Sequence, residues 1–357
     1  MKILLVKLSS LGDVVHALPV VQDIRAALPG AQIDWVVEAS FASILALDTG
    51  LRRVIPCEIR RWRKSPLAVA TRQEWRAFRA ALRLEAYDAV IDLQGLTKSA
   101  LVARLARLAP GGKRYALANQ TDGSGYEAPT RWLADVAIRI APHVHAVHRS
   151  RELAARALGY TVAGRPDFGV QGSCLSSAPG LAATREIANR VVFVHGTSRA
   201  DKEWPFNGWS ALGRRLINAG YQIALAHGSQ KELAKSQAIA RLLNEGAPGN
   251  ALVWPLLPLD MLTREMARCA GVIGVDSGVS HIAVALNLPH VQIYNFDTAW
   301  RTGPDEASGH QVSVFAQPAP GVNEVWRAWL TCLDADNCAP LGPPNALDLP
   351  ESGASPA

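Results

Sequence analysis

Residues 1–20 read MKILLVKLSSLGDVVHALPV, and the order within them decides the fold. Lys2 to Leu8 is a nearly continuous run of apolar, mostly branched residues, the pattern of a parallel strand covered by helices on both faces. Ser9, Ser10 and Gly12 then supply a turn of small residues before a helix begins. This strand–turn–helix unit is the repeat of open α/β folds, which bind ligands outside the carboxyl ends of their strands. Asp13 is the carboxylate at that junction. It reads equally as a residue favouring the first helical turn and as a reactive group facing a crevice.

Working outward, the unit recurs. The first helix is expected to run to about Leu28 and stop at Pro29-Gly30. Strands follow at Ile33–Val37 and Ala89–Leu93, the second with a polar exit, Asp92-Leu93-Gln94-Gly95. A helix over Lys98–Leu108 should end at Pro110-Gly111-Gly112. Residues 161–190 are rich in Gly, Ser, Ala and Pro without periodicity and mark a domain boundary. A second series then alternates strands (Val191–Val194, Gln222–Ala226, Leu252–Trp254, Gly271–Val275, His290–Tyr294) with helices (Trp209–Asn218, Gln230–Leu243, Leu259–Ala270, Ser280–Leu286). The expected architecture is α/β: two facing Rossmann-like, doubly wound domains over 1–170 and 185–320. A C-terminal helix over 321–334 and a Pro-rich, disordered tail over 335–357 complete it.

At 357 residues the chain is long for one core, and its 49% hydrophobic content is that of a globular protein. No run of eighteen apolar residues lacks a charge, and Met1-Lys2 leads directly into a core strand. A soluble, unprocessed, cytoplasmic protein is therefore expected. Cys57, Cys174, Cys269, Cys332 and Cys338 are scattered without zinc or disulfide spacing and read as reduced and structural.

The net charge of +6 permits an anionic partner, and its distribution says where. Ten Arg and Lys between Arg52 and Arg83 face only Glu58 and Glu74, with Trp62 and Trp75 interleaved. Such a segment suits an anionic membrane surface or a multiply charged substrate, and it also fits a solvated helix face. No nucleic-acid module accompanies it, so nucleic acid is not expected as a partner.

Two strand exits in the second half are candidate phosphate sites. Val191–Val194 runs into His195-Gly196-Thr197-Ser198, and Lys202 follows, so two hydroxyls and an ammonium can converge on a phosphate. Asp276-Ser277-Gly278-Val279-Ser280-His281 opens a helix, whose N-terminal N–H groups favour a diphosphate. Each of these is also ordinary turn or cap chemistry; together they favour a phosphorylated ligand. Glu232, after Gly228-Ser229, is a candidate ribose acceptor. No Gly-x-Gly-x-x-Gly follows a strand, and no P-loop or nucleophile elbow is present, which excludes the commonest dinucleotide, NTPase and esterase classes. His143, His145 and His148 lack the carboxylates or cysteines that would complete a metal site, so neither metal nor cofactor is expected.

Six ordered motifs carry a resemblance. They are Val6–His16, Ile59–Lys64, Tyr87–Gly95, His145-Ala146-Val147, Asp201-Lys202-Glu203-Trp204-Pro205 and Val275–His281. In this order they resemble the heptosyltransferase I family of lipopolysaccharide-core glycosyltransferases, over nearly the whole chain to about residue 330. The resemblance implies a GT-B fold, an inverting, metal-independent transfer, an ADP-heptose donor on the second domain and Kdo2-lipid A on the first. It implies Asp13 as catalytic base. It places Thr197, Ser198, Lys202, Glu232, Asp276, Ser277, Gly278 and His281 at the donor, and Ser10, Gly12, Arg60, Arg61, Arg63, Lys64 and Gln94 at the acceptor. A monomer working on the cytoplasmic face of the inner membrane follows from the same resemblance. The chain departs from the family pattern in Asn295–Arg301 and in the spacing that leads to Glu232. The rival readings are heptosyltransferase II, which adds the next heptose, and a non-catalytic binder of acidic lipids on the same fold.

Overall fold

The computed structural model describes residues 1–48, 50–176, 189–305 and 308–334. Two six-stranded, wholly parallel sheets form its framework. The first comprises β1 (Lys2–Val6), β2 (Gln32–Glu38), β3 (Leu51–Cys57), β4 (Ala86–Asp92), β5 (Arg107–Leu117) and β6 (Val136–Ile138), in the order β3-β2-β1-β4-β5-β6. The second comprises β7 (Arg190–Val194), β8 (Gln222–Leu225), β9 (Ala251–Val253), β10 (Gly271–Val275), β11 (His290–Tyr294) and β12 (Gln311–Phe315), in the order β12-β11-β10-β7-β8-β9. Counted from its own first strand, each sheet has the order 3-2-1-4-5-6. Each therefore has one point where the winding reverses, between β1 and β4 and between β7 and β10. β1, at the centre of its sheet, buries Ile3 to Val6 completely, which is why its sequence is apolar without alternation.

Three local expectations change. The helix after β1 is two helices, Leu11–Ala17 and Pro19–Ala27, because Pro19 has no N–H to continue the first ladder and starts a new helix instead. The helix after β4 ends at Leu105, and Pro110-Gly111-Gly112 lies inside β5 rather than stopping a helix. There the register against β4 shifts between Tyr87 and Ala89. Gly111 adopts φ +78°, and a Cβ on Gly112 would lie 2.5 Å from the Tyr87 carbonyl oxygen, so this bulge requires both glycines. β3, β6 and β12 are edge strands without a recognisable signal in the sequence; partial burial leaves edges less apolar.

Helix Val322–Asp334 lies on the second sheet, its Trp329 buried where Gly271 leaves room. The largest buried apolar cluster is continuous across both halves, from Ile3 and Ile44 to Met266 and Ile282. Residues 335–357, expected as a disordered tail, and residues 177–188 of the expected boundary lie outside the described residues. Cys57, Cys174, Cys269 and Cys332 are buried, and none of them is in a disulfide.

Candidate active site

Helix Leu11–Ala17 starts at the first reversal point. Asp13 is its third residue, and the Ser10 N–H and Oγ–H donate to one Asp13 carboxylate oxygen at 3.1 and 2.9 Å. This is the capping arrangement that the sequence allowed. The other oxygen faces two cations: Lys7 Nζ at 3.5 Å and the Arg149 guanidinium at 3.8 Å. Burial opposes ionisation of Asp13, but Lys7 and the Ser10 donors outweigh it and push the carboxyl down to about 2. The side chain remains 39% exposed, so Asp13 both caps its helix and presents an ionised carboxylate to the crevice.

Lys7 is 2% exposed, and its ammonium also donates to the Leu93 carbonyl at 3.1 Å. Burial lowers its pKa against the pull of Asp13. Arg149 comes from helix Ala146–Leu158 and donates to Thr121 Oγ1 at 3.0 Å. Gln94, expected to meet the acceptor, spends its amide within the turn: Oε1 accepts from the Leu8 and Ser9 N–H groups, and Nε2 donates to the Ser9 carbonyl. It braces the loop that carries Asp13. Asp92 is 1% exposed and accepts from the Gln94 and Gly95 N–H groups and from Ser99 Oγ. Burial raises it to about 6, but its oxygens are committed to that turn.

The second reversal point gathers the expected donor residues. Thr197 Oγ1 donates to the Asp276 carbonyl at 3.3 Å, joining the β7 and β10 exits, and Ser198 lies in the same turn. Lys202 pairs with the Asp276 carboxylate, which is 7% exposed. Ser277 caps helix Gly278–Ala285, whose first N–H groups lack carbonyl partners within the helix. Glu232 accepts from the Gly228 N–H at 2.6 Å, and a Cβ on Gly196 would lie 2.5–2.9 Å from its carboxylate. The carboxylate thus overhangs the β7 exit despite its unusual spacing in sequence. Beside it, a depression of about 620 Å³ is lined by His227, Ser229, Leu233, Trp254 and Leu256.

The two reversal points meet. A Cβ on Gly12 would lie 2.7 Å from the His281 ring, and a Cβ on Gly278 would lie 2.8 Å from Leu11, so the N-terminal turns of the two helices touch where only glycine fits. The His281 ring packs on His16, centroids 4.2 Å apart, and stands 3.6 Å from Asp276. It lies in the fields of both Asp276 and Asp13, although burial dominates and lowers its pKa. The departing segment Asn295–Arg301 also has a defined use. Asn295 Nδ2 donates to the carbonyls of Asp201 and Glu203 and thereby holds the Lys202 turn. Trp300 stacks on His143 at 3.7 Å, and Arg301 donates to the Gly123 carbonyl at 3.0 Å. His145 Nε2 bonds the Gly303 carbonyl. Of the three nearby histidines, His143 and His145 thus face separate partners and His148 packs edge-on against His145, and among the described residues no group of three His, Cys, Asp or Glu could hold a metal ion.

The basic segment divides into three parts. Arg52 and Arg53 pair with buried Asp34 at the amino end of β3, far from the strand exits, and are structural. Arg61, expected to face the acceptor, is held between Glu58 and Glu74. Arg60, Arg63 and Lys64 are exposed and make no ion pair among the described residues. Missed altogether were Lys7 as an active-site cation, Arg149 and His16. Lys7 lay inside the quoted motif and passed for a strand residue; no local signal marks Arg149, which arrives on a helix more than a hundred residues away.

Known proteins share this chain's sequence pattern and its fold. The pattern of "Glycosyltransferase family 9 (heptosyltransferase)" matches residues 75–327. Lipopolysaccharide heptosyltransferase 1 of Escherichia coli (strain K12) is 38% identical over 82% of this chain and 88% of its own. Lipopolysaccharide heptosyltransferase 2 of Salmonella typhimurium is 25% identical over 82% of each. The solved structure of E. coli heptosyltransferase WaaC with ADP superposes with a TM-score of 0.80 at 34% identity, covering 92% of this chain and 98% of that one. The same enzyme with ADP-2-deoxy-2-fluoro heptose gives 0.76 over equal shares. With both sheets wound alike, the fold is GT-B, and the chain belongs to glycosyltransferase family 9, the heptosyltransferases.

Proposed function

We propose that the protein transfers L-glycero-D-manno-heptose from ADP-heptose to the first Kdo of Kdo2-lipid A, with inversion and without a metal ion. The observation that carries this reading is the meeting of the two reversal points, which sets the ionised Asp13 across from the Lys202–Asp276 turn and the helix Gly278–Ala285 N-terminus. Asp13 takes the proton of the attacking Kdo hydroxyl. Lys7 and Arg149 keep it ionised at working pH at the expense of basicity, so proton transfer runs late, once bonding to the anomeric carbon has acidified the oxygen. Lys202, Thr197, Ser198 and the N–H groups after Ser277 receive the diphosphate as it gains charge. Asp276 and His281 lie against the heptose, Glu232 against the ribose, and the apolar walls at Trp254 and Leu256 suit the adenine. The crystallised WaaC complexes with ADP and an ADP-heptose analogue support this donor.

On the acceptor side, Arg60, Arg63 and Lys64 suit the carboxylates and phosphates of Kdo2-lipid A. Leu67 and Val69, 83% and 63% exposed beside them, suit peripheral attachment to the cytoplasmic face of the inner membrane, and a monomer suffices for this site. No helix among the described residues is long and apolar enough to cross a membrane. Identity of 38% to a type 1 relative against 25% to a type 2 relative favours the first-heptose reaction. The test is ADP release and addition of one heptose mass on mixing with ADP-heptose and either Kdo2-lipid A or its heptosylated product. Transfer to Kdo2-lipid A is expected. Transfer to the heptosylated product alone refutes the choice, and no acceptor-dependent release refutes transfer altogether.

A further inference from the structure

Beside the Asp13 loop lies a cavity of about 990 Å³ between the basic turn and helices Val69–Arg83 and Thr97–Leu105. Its walls are apolar: Trp62, Trp75, Leu101, Val102 and Leu105. Trp62, Trp75 and Phe78 are mutually packed, with ring centroids 5.5–5.7 Å apart, so one wall is a rigid aromatic block. Leu101 is 51% exposed although it lines the cavity, leaving apolar surface without an intramolecular cover.

Four cations border these walls, Arg63, Arg72, Arg76 and Lys98, against one carboxylate, Glu127. None of the four forms an ion pair among the described residues, and Glu127 already accepts from the Thr97 N–H. Lys98 also donates to Ser9 Oγ at 3.2 Å, so the cavity adjoins the turn that positions Asp13. An apolar interior bordered by free cations matches one ligand chemistry, an anionic amphiphile with phosphate at the rim and hydrocarbon within.

We infer that this cavity takes a fatty-acyl chain of the acceptor while Arg72 and Arg76 hold its phosphate. The site rests on the transfer reading for the identity of its natural ligand. It acts as an anchoring subsite that fixes the lipid beside the Asp13 loop, so that the sugar above it reaches the base.

The experiment titrates the full-length protein with hexyl, octyl and decyl phosphate below their micelle concentrations, and with inorganic phosphate, by calorimetry. Affinity is expected to rise about fourfold per methylene until the cavity is full. Inorganic phosphate should bind much more weakly. Leu101→Gln, at an exposed helix position, should flatten that rise, whereas Arg72→Ala with Arg76→Ala should weaken every alkyl phosphate about equally and leave the slope intact. Affinity independent of chain length, or a slope unchanged in Leu101→Gln, overturns the inference. Equal binding of wild type and Leu101→Gln to anionic vesicles, without alkyl phosphate binding, overturns it in favour of surface adsorption. Transfer that proceeds normally on fully deacylated and acylated acceptors with equal KM refutes the subsite and leaves the transferase standing. Chain-dependent binding in a protein that transfers nothing does the reverse.

Discussion

Replacing Asp13 by Asn removes the charge of the proposed base while keeping its shape and its hydrogen-bond acceptor for Ser10. The energetic setting is defined by Lys7 at 3.5 Å and Arg149 at 3.8 Å, which help lower the carboxyl from 3.8 to about 2. A shift of that size corresponds to about 2.5 kcal/mol at most, and solvent screening at a side chain 39% exposed reduces it to about 1–2 kcal/mol of folding stability. The sign follows from the depressed pKa: the contribution is complete above about pH 4 and disappears only as pH falls toward 2. At pH 7, Asp13→Asn should therefore melt somewhat earlier yet remain folded, since Lys7 keeps the Leu93 carbonyl. Turnover should fall on the order of 10²–10⁴-fold for loss of a general base, with ADP affinity unchanged because the proposed nucleotide site lies on the other half. The assay is acceptor-dependent ADP release, with calorimetric ADP binding and a thermal melt on the same preparation. The wild-type kcat/KM profile should show no ionisation from Asp13 above pH 4. Turnover within threefold of wild type in the variant would refute the reasoning.

Lys202→Ala should weaken ADP binding about tenfold or more through loss of a phosphate contact, read by calorimetry with a folded-state control by circular dichroism. Gly12→Ala drives a methyl into the His281 ring at 2.7 Å; it should lower kcat about tenfold or more while ADP affinity, measured separately, holds. Arg60→Ala with Arg63→Ala should raise the acceptor KM and reduce its salt dependence, whereas an unchanged salt response would mark these residues as a solvated face. Burial holds His145, His195 and His290 down to about 4 and lowers His16 and His281 as well, against Asp48 and Asp92, raised to about 6, and Glu38, also raised by burial. The unfolded chain takes up more protons through the histidines than the native state does through these carboxyls. Thermal melts should therefore show stability declining from pH 6.5 to pH 4, and a rise over that window contradicts the burial of the histidines.

Much of the candidate site was legible because local chemistry imposed it. A strand buried on both faces must be continuously apolar, its exit must be small and polar, and the next helix must begin with a capping group; Lys2–Asp13 and Gly271–Gly278 state all three in order. The same logic failed at Pro110-Gly111-Gly112. Those residues break a helix by propensity, yet they form a bulge in β5 because the β4 backbone lies against them.

The sequence by itself determined the alternating framework, the two phosphate-suited turns and Asp13 as the lone carboxylate of the first exit, since each follows from residues adjacent in the chain. Only the tertiary structure decided what those groups face. Arg149 reaches Asp13 across 136 positions, His281 meets Gly12 across 269, and Arg61 is neutralised while Arg60 and Arg63 are free. Burial and Coulomb interaction depend on distances in space, and residues so far apart along the chain acquire a fixed distance only when both sheets and the helices between them have packed.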